Sequence, residues 1–217
     1  MLKADLHIHT KYSMDCNTPL DQVINRCQET GINCIAIADH GTIEGALKMQ
    51  SIAPFPVIVA EEILTRHGEI MGMFLKEGIP SDLSIEETIS RIKAQGGLVN
   101  IPHPFSILRQ SALDSEILEE LAEQEQIDII EVFNSRSLLH RSSAKAQTFV
   151  QKYGIPGSAG SDAHTPYEIG NAYVEMLEFN GRDEFLNALA KGKIFGHRTN
   201  PLVHFNSAWA RLKSNLK

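Results

Sequence analysis

The sequence has few cysteines, no long apolar run and no excess of basic side chains, and each shortage excludes a class of protein. Its three cysteines, Cys16, Cys27 and Cys34, include no C-x-x-C pair, which argues against a disulfide framework and a thiolate zinc site. No window approaches the roughly 18 apolar residues of a membrane span, and no basic segment followed by an apolar segment opens the chain. We therefore expect a cytoplasmic protein without a membrane partner.

The charge balance is acidic, with 27 Asp and Glu against 20 Lys and Arg and a formal net charge of -7. An acidic mean field disfavours long nucleic acid and anionic lipid as partners, although metal-bound carboxylates would make the working charge less negative. Motifs of other enzyme classes are missing as well, because the chain contains neither a G-x-S-x-G elbow nor a Walker P-loop. The sequence therefore gives no sign of a serine hydrolase or a P-loop enzyme.

Short apolar runs alternate with helical stretches, which is typical of an α/β fold. Strands are predicted for ADLHI near the N-terminus and for residues 33–39, 56–60, 69–75, 97–101, 127–133 and 155–161. Helices are predicted for residues 18–30, 139–153 and 182–191. Two more are predicted, one that begins at the capping box of Ser84 and Glu87 and one in the acidic stretch from Leu113 to Leu121. Thr18 is the expected N-cap of the first helix, and Gly31 follows its end. We expect one domain over residues 1–217, wound as an open sheet or closed into a barrel.

Several predicted strands end in imidazole or carboxylate side chains. These residues are His7 and His9, Asp39 and His40, Glu61 and Glu62, His103, and Asp162 and His164. In a parallel α/β fold the carboxyl ends of the strands share one face, so these side chains are expected to converge. Imidazole suits zinc, iron and manganese, and a carboxylate can bridge two cations. The pattern therefore predicts a site for two or three metal ions.

The H-x-H pair at the end of the first strand has the spacing of a metal clamp. His7 and His9 are two residues apart and project from the same face of a strand, while Ile8 turns the opposite way into packing. A single histidine at a strand end is more often a structural residue. The metal interpretation therefore depends on the convergence of all five strand ends.

Four short motifs, DLHIHT, ADHGT, PHP at residues 102–104 and GSDAH, together resemble the polymerase and histidinol phosphatase (PHP) superfamily. The motifs span residues 5–164 in the order typical of that superfamily. The resemblance implies an α/β fold of the distorted (β/α)7 TIM-like barrel type. It also implies a di- or trinuclear centre of zinc, manganese or iron that hydrolyses phosphoesters with a metal-activated water.

The resemblance also implies roles for individual residues. One ion would be held by His7, His9, a bridging glutamate and Asp162, another by Asp15, His40 and His164, and a further one by His103 with the bridging glutamate. The family pattern of glycine, any residue, glutamate favours Glu62 as the bridge, with Ala60 in the place of the glycine and Glu61 as the alternative. Candidate catalytic residues are His7, His9, Asp162 and His164.

The chain departs from the trinuclear members after GEI, where they carry a histidine and this sequence has Met71, Met73 and Phe74. His67 lies nearby, although a loop histidine facing water is the better expectation. Asp5 and Asp39 neighbour proposed ligands and are expected to orient an imidazole or the local backbone, or to cap a strand end. Candidate phosphate-binding residues are Arg136, His197 and Arg198. Trp209 is expected to pack in a closing helix.

The favoured function is a metal-dependent phosphoesterase acting on a small phosphomonoester, a nucleotide or a short oligonucleotide. Two alternatives remain open. The first is a non-catalytic, metal-stabilised interaction module. The second is a carbon-nitrogen hydrolase of the amidohydrolase type, although such enzymes usually have a lysine carbamate as a bridging ligand and no lysine ends an apolar strand here. The sequence gives no clear interface signal, so the oligomeric state stays open.

Overall fold

The structure, a computed structural model, describes residues 1–106 and 109–200. Its strands are β1 (Leu2–Ile8), β2 (Cys34–Ile37), β3 (Val57–Thr65), β4 (Gly68–Met73), β5 (Leu98–Ile101), β6 (Ile129–Asn134), β7 (Gly157–Gly160), β8 (Ala172–Met176) and β9 (Lys193–Gly196). Its α-helices are α1 (Leu20–Thr30), α2 (Glu44–Ile52), α3 (Ile85–Ala94), α4 (Ser115–Glu123), α5 (His140–Tyr153) and α6 (Gly181–Ala190). None of the helices in this part of the chain has the length and apolar character needed to cross a bilayer. Trp209 lies outside the described residues, and the single domain over residues 1–217 stays a prediction.

The strands form one sheet in the order β7-β6-β5-β4-β3-β2-β1-β8-β9. The first half of β1 pairs with β8, whereas its end meets the chain that leaves β7. There the Asp162 N–H donates to the His7 carbonyl at 2.7 Å, and the His9 N–H donates to the Ala163 carbonyl at 3.0 Å. These contacts nearly close the strands β1 to β7 into a ring, and the predicted distorted TIM-like barrel is confirmed.

Strand directions in the ring decide which residues meet at its rim. β1, β2 and β3 pair in parallel, as do β5, β6 and β7, whereas β4 runs antiparallel to both β3 and β5. The carboxyl ends of the parallel strands therefore share one rim of the barrel. The beginning of β4, rather than its end, lies at that same rim.

The two faces of the strands pack into two separate apolar cores. On β3, Ile58 and Ala60 belong to the core inside the ring, which α6 also joins, whereas Val59 and Ile63 belong to the core that packs against α1 to α5. Strand β1 changes its alternation, because the register against β2 shifts between Asp5 and Ile8. Such an irregularity re-aims side chains at the end of a strand. Ile8 consequently joins the outer core, as predicted, and its two histidine neighbours face inward.

Gly160 allows β7 to approach β1 closely. A Cβ atom at this position would lie 2.3 Å from the His7 Cβ and 2.8 Å from the His7 backbone nitrogen. No residue with a side chain fits that space without displacing β1. The glycine of GSDAH thereby brings the segment carrying Asp162 and His164 against the H-x-H pair.

Helix α1 matches its prediction except at its first residue. It ends at Thr30, and the following Gly31 has a φ of 73°, the left-handed conformation expected after a helix. Thr18, however, is not the N-cap, because Pro19 takes that place and the Thr18 hydroxyl donates to the carbonyl of His164 at 3.0 Å. The prediction of a Thr18 cap was therefore wrong, because this hydroxyl ties α1 to the rim instead.

Candidate metal centre

Five histidines and four carboxylates converge at the rim of the barrel. We call them the His/carboxylate cluster, which consists of His7, His9, Asp15, His40, Glu62, Glu69, His103, Asp162 and His164. Potential ligand atoms lie within 4.8 Å of one another in each of three groups: His7, His9 and Asp162; His9, Asp15, His40 and His164; and His40, Glu62 and Glu69. The structure thus brings together every residue that the sequence analysis proposed as a metal ligand, and it adds Glu69.

The H-x-H pair forms the centre of the first group. The Nε2 atoms of His7 and His9 are 3.1 Å apart, and Oε2 of Glu62 lies 3.2 Å from the first and 3.3 Å from the second. Oδ1 of Asp162 lies 3.4 Å from Nε2 of His9. Two imidazoles and two carboxylates therefore face a common point, as the clamp interpretation requires.

Glu62, rather than Glu61, occupies the bridging position. Besides the clamp histidines, Oε1 of Glu62 lies 2.8 Å from Nε2 of His103, and its Oε2 lies 3.6 Å from Nδ1 of His40. Glu61 points to the other face of β3, where its carboxylate accepts a hydrogen bond from the Ile79 N–H at 2.8 Å. The pleat of β3 therefore favours Glu62 as the bridge.

In the second group the neutral imidazole of His164 faces the carboxylate of Asp15, an arrangement that fits a bound cation. Nδ1 of His164 lies 2.9 Å from the Asp162 carbonyl oxygen, which can only accept, so this nitrogen carries the ring proton. Burial and the charge of His9 lower the pKa of His164 to about 4, which leaves the ring neutral at pH 7. The lone pair on Nε2 then faces Oδ2 of Asp15 at 3.2 Å. Two acceptors at this separation fit a shared metal ion.

Buried carboxylate oxygens without a hydrogen-bond donor also indicate a metal site. Oδ1 of Asp162 and Oε2 of Glu69 are buried and accept no hydrogen bond from the described residues. A buried carboxylate oxygen without a donor is costly unless a cation compensates it. Because imidazole nitrogens and carboxylate oxygens are also the usual ligands of zinc, manganese and iron, the cluster fits a divalent metal centre.

Glu69 belongs to the cluster although the sequence analysis did not select it. It lies near the start of β4, with Oε2 at 3.4 Å from Nε2 of His103 and Oε1 at 3.8 Å from Nδ1 of His40. Met71 and Met73, which follow GEI where trinuclear members carry a histidine, pack inside the ring. His67 is exposed, as expected. A carboxylate thus completes the group around His103.

Replacing Glu69 with glutamine is expected to weaken one metal position and leave the others filled. The amide keeps the shape of the side chain but loses the charge beside His103 and His40, so we expect affinity at this position to fall at least ~10-fold. Elemental analysis after dialysis would measure the loss, with Glu77→Gln, an exposed glutamate, as the control. Metal content equal to that of the control would contradict a ligand role for Glu69.

Three further acidic residues, Glu131, Asp5 and Asp39, form hydrogen bonds that position the cluster or the backbone next to it. Glu131, on β6, lies 3.1 Å from Nδ1 of His7 and accepts from the His103 N–H at 2.7 Å. Asp5 accepts from the backbone N–H groups of Ser161 and Gly170, and burial raises its pKa to about 6. Asp39 accepts from the N–H and hydroxyl of Thr10 at 2.6 and 2.7 Å. Glu131 orients an imidazole, whereas Asp5 and Asp39 hold the backbone.

Two of the proposed ligands have strained backbone conformations. His103 has a φ of 31° and Asp162 a φ of 54°, in a region that residues with a side chain rarely adopt. The His103 N–H is held by Glu131 and the Asp162 N–H by the His7 carbonyl. Strain of this kind persists where surrounding contacts determine it, and it is common at functional sites.

Comparison with known proteins agrees with this geometry. A family model described as "PHP domain" matches residues 5–73, and one described as "PHP-associated" matches residues 140–194. "Uncharacterized protein MJ0417" of Methanocaldococcus jannaschii is 35% identical over 196 residues, which cover 87% of this chain and 79% of that protein. The chain belongs to the PHP family. "Uncharacterized protein MJ1587" of the same organism is 40% identical over 147 residues, which cover 62% of this PHP protein and 82% of that relative.

A solved structure shows the same fold. It is a two-domain protein from Bacteroides vulgatus described as "containing predicted PHP-like metal-dependent phosphoesterase", and it matches with a TM-score of 0.73 at 18% identity. The match covers 90% of this PHP protein and 65% of the other chain, so the present chain spans less than two thirds of that protein. At this identity the likeness concerns the fold alone.

Two of the three candidate phosphate-binding residues of this PHP protein, Arg136 and Arg198, bind other groups of the chain. The Arg136 side chain is buried, with Nε 3.5 Å from Oε1 of Glu168 and Nη1 donating to the Asp162 carbonyl at 3.4 Å. Arg198 donates to the Ser137 carbonyl, and the His197 side chain is exposed. Their binding role stays a prediction. Arg109, whose loop carries no recognisable motif, forms an ion pair with the cluster carboxylate of Asp162.

Metal affinity of the PHP centre is expected to rise with pH. Burial lowers the pKa of His9, but Asp162 and Glu62 outweigh burial and raise it to about 9. Below this pKa a proton competes with a metal ion for the imidazole, so affinity should increase by up to about tenfold per pH unit for each proton displaced. Competition with a chelator between about pH 6 and about pH 9 measures the slope. A flat profile would rule out this competition.

Proposed function

We propose that this PHP family protein is a metal-dependent phosphoesterase that hydrolyses a small phosphomonoester, a nucleotide or a short oligonucleotide. Family membership and the His/carboxylate cluster support a metal-dependent hydrolase. The observation that carries the proposal is the pairing of the neutral His164 imidazole with the Asp15 carboxylate, beside the clamp of His7 and His9. It gives neighbouring positions for more than one cation, the arrangement suited to phosphoester hydrolysis.

The reaction does not need a side-chain nucleophile. Bound divalent ions would supply an activated water and would stabilise charge on the phosphoryl oxygens. The thiol nearest the cluster, Cys16, is unsuited to attack, because it donates to the carbonyls of His9 and His164 at 3.5 and 3.2 Å. Burial raises the pKa of this thiol to about 11, so it stays protonated at neutral pH.

The residues of the chain position the site and exclude water from its base. Glu131 fixes the ring of His7, and Glu168 accepts from the N–H groups of His164 and Thr165 at 3.1 and 2.9 Å. The apolar core inside the ring closes the cluster from below. The side chains are therefore held in place before substrate binds, which lowers the cost of reorganisation during reaction.

The alternatives have weaker support. A non-catalytic module is expected to lose carboxylates or histidines, yet this cluster contains all the proposed ligands and one more. A carbon-nitrogen hydrolase with a carbamate bridge requires a lysine at the centre, and none of the ion pairs around the described cluster includes a lysine. The Bacteroides vulgatus protein, which shares the fold, is described as containing a predicted PHP-like metal-dependent phosphoesterase.

The direct test is hydrolysis of a chromogenic phosphate ester with added manganese or zinc, combined with elemental analysis of the purified protein. We expect metal-dependent phosphate release that a chelator abolishes. A screen of phosphorylated metabolites, nucleotides and short oligonucleotides then separates monoesterase from nuclease activity. Metal-loaded protein that hydrolyses amides but no phosphate ester would favour the carbon-nitrogen hydrolase, and loaded protein without any hydrolysis would favour the module.

A further inference from the structure

Arg109 reaches the cluster from the loop that follows β5. Its guanidinium forms an ion pair with Oδ2 of Asp162, and about a quarter of its side chain is exposed, at 24%. The Glu69 N–H donates to the Ser111 carbonyl at 2.8 Å, which ties the loop to the rim, and the Ala112 N–H donates to the Arg109 carbonyl at 3.2 Å, which forms a turn within the loop. Arg109 therefore lies between the cluster and solvent.

The bond to Arg109 leaves the other oxygen of Asp162 directed at the imidazoles. Oδ2 accepts from Arg109 and from the Asn134 amide, the latter at 3.2 Å, whereas Oδ1 lies 3.4 Å from Nε2 of His9. Asp162 can thus serve the cluster through Oδ1 while Arg109 stays bound to Oδ2. The arginine and the proposed ligand role do not compete.

The guanidinium has further donors available for an anion. It carries five N–H groups in a planar fork, and a single ion pair uses only part of them. Within residues 1–106 and 109–200 its one ion pair is with Asp162. By contrast, Arg136 is buried against Glu168, and Arg198 donates to the Ser137 carbonyl.

A phosphate dianion that enters this site must approach several carboxylates. Asp162 pairs with Arg109 directly, and Glu62 and Glu69 belong to the same His/carboxylate cluster. A fixed positive charge at the solvent side of these groups offsets their repulsion of an anion. Arginine suits this task because its fork matches phosphoryl oxygens.

We propose that Arg109 binds the phosphoryl group of a phosphomonoester substrate and that its bond to Asp162 fixes the guanidinium beside the cluster. This inference rests on the proposed phosphoesterase function. It adds a residue of the loop after β5 to the candidate phosphate-binding residues Arg136, His197 and Arg198.

The test compares Arg109→Gln, Arg109→Lys and the control Arg91→Gln, which changes an exposed arginine paired with Glu87 on α3. Inorganic phosphate is titrated calorimetrically into each metal-loaded protein, and metal content is measured on the same samples. We expect Arg109→Gln to weaken phosphate binding and to raise KM at least ~10-fold, the effect of losing a hydrogen bond to a charged group. Metal content should stay unchanged, and lysine should restore part of the affinity.

Metal-loaded Arg109→Gln that binds phosphate as tightly as Arg91→Gln would overturn the inference. Loss of metal and phosphate together in both Arg109 variants would also overturn it, because Arg109 would then only support Asp162. In either case, continued hydrolysis by the unchanged protein leaves the phosphoesterase function intact. Unchanged protein that neither binds phosphate nor hydrolyses any ester overturns both proposals.

Discussion

Replacing both His7 and His9 with alanine is expected to remove bound metal and metal-dependent hydrolysis while the barrel stays folded. Their Nε2 atoms are 3.1 Å apart and both face Glu62, so the double change deletes two converging donors. Metal ions that polarise phosphoryl oxygens contribute several kcal/mol to transition-state stabilisation, so we expect a loss of roughly 1000-fold or more. Elemental analysis, ester hydrolysis and thermal unfolding measure the three outcomes.

The matched control replaces His67 and His140, two exposed histidines away from the cluster, with alanine. It should keep metal content and activity, since neither imidazole contacts the proposed ligands. The apolar core inside the ring does not depend on the clamp, so both double variants should unfold cooperatively. Retained metal-dependent turnover in the His7 and His9 variant would refute the clamp assignment.

Most of the cluster could be predicted because parallel strands end at one rim. On β2 and directly after it, the inward positions Ala36 and Ala38 precede His40 with the same two-residue spacing, and on β3 Ile58 and Ala60 precede Glu62 in the same way. Alternation of side chains therefore points to Glu62 over Glu61 once the inner face is known. From sequence alone both faces of β3 are apolar, so the two glutamates could not be separated by hydropathy.

Glu69 was missed because the sequence argument considered only the ends of strands. Strand β4 runs antiparallel to its neighbours, which places its first residues at the rim. Glu69 shares its face with Met71 and Met73 inside the ring, so the direction of one strand would have revealed it. Strand direction depends on tertiary pairing, which apolar periodicity does not encode.

The other differences between the sequence prediction and the structure also depend on tertiary contacts or on short elements. The register shift in β1, which turns the H-x-H pair inward after Leu6, has no local signal in DLHIHT. The position of Arg109 depends on the loop after β5, and loop conformation is set by contacts with the rim. Helix α2 and strands β8 and β9 were not predicted, because each is short and carries no strong capping or periodic pattern.

Replacing Glu62 with glutamine is expected to have a far larger effect than the same change at its neighbour Glu61. Glu62 lies within 3.6 Å of four imidazoles, those of His7, His9, His40 and His103. The amide removes the charge that stabilises adjacent cations, so we expect losses in metal affinity and turnover above ~100-fold, the upper range for groups that only support a ligand. Metal titration and steady-state hydrolysis measure both.

Glu61→Gln is the matched control, because it makes the same chemical change one residue away on the opposite face of β3. Its carboxylate accepts from the Ile79 N–H, a bond that the glutamine oxygen retains. Burial raises the pKa of Glu61 to about 7, so near neutral pH the native side chain is already partly uncharged and close to the amide in character. Equal losses in the two variants would show that the strand tolerates no change here. A greater loss at Glu61 would transfer the bridging role to that residue.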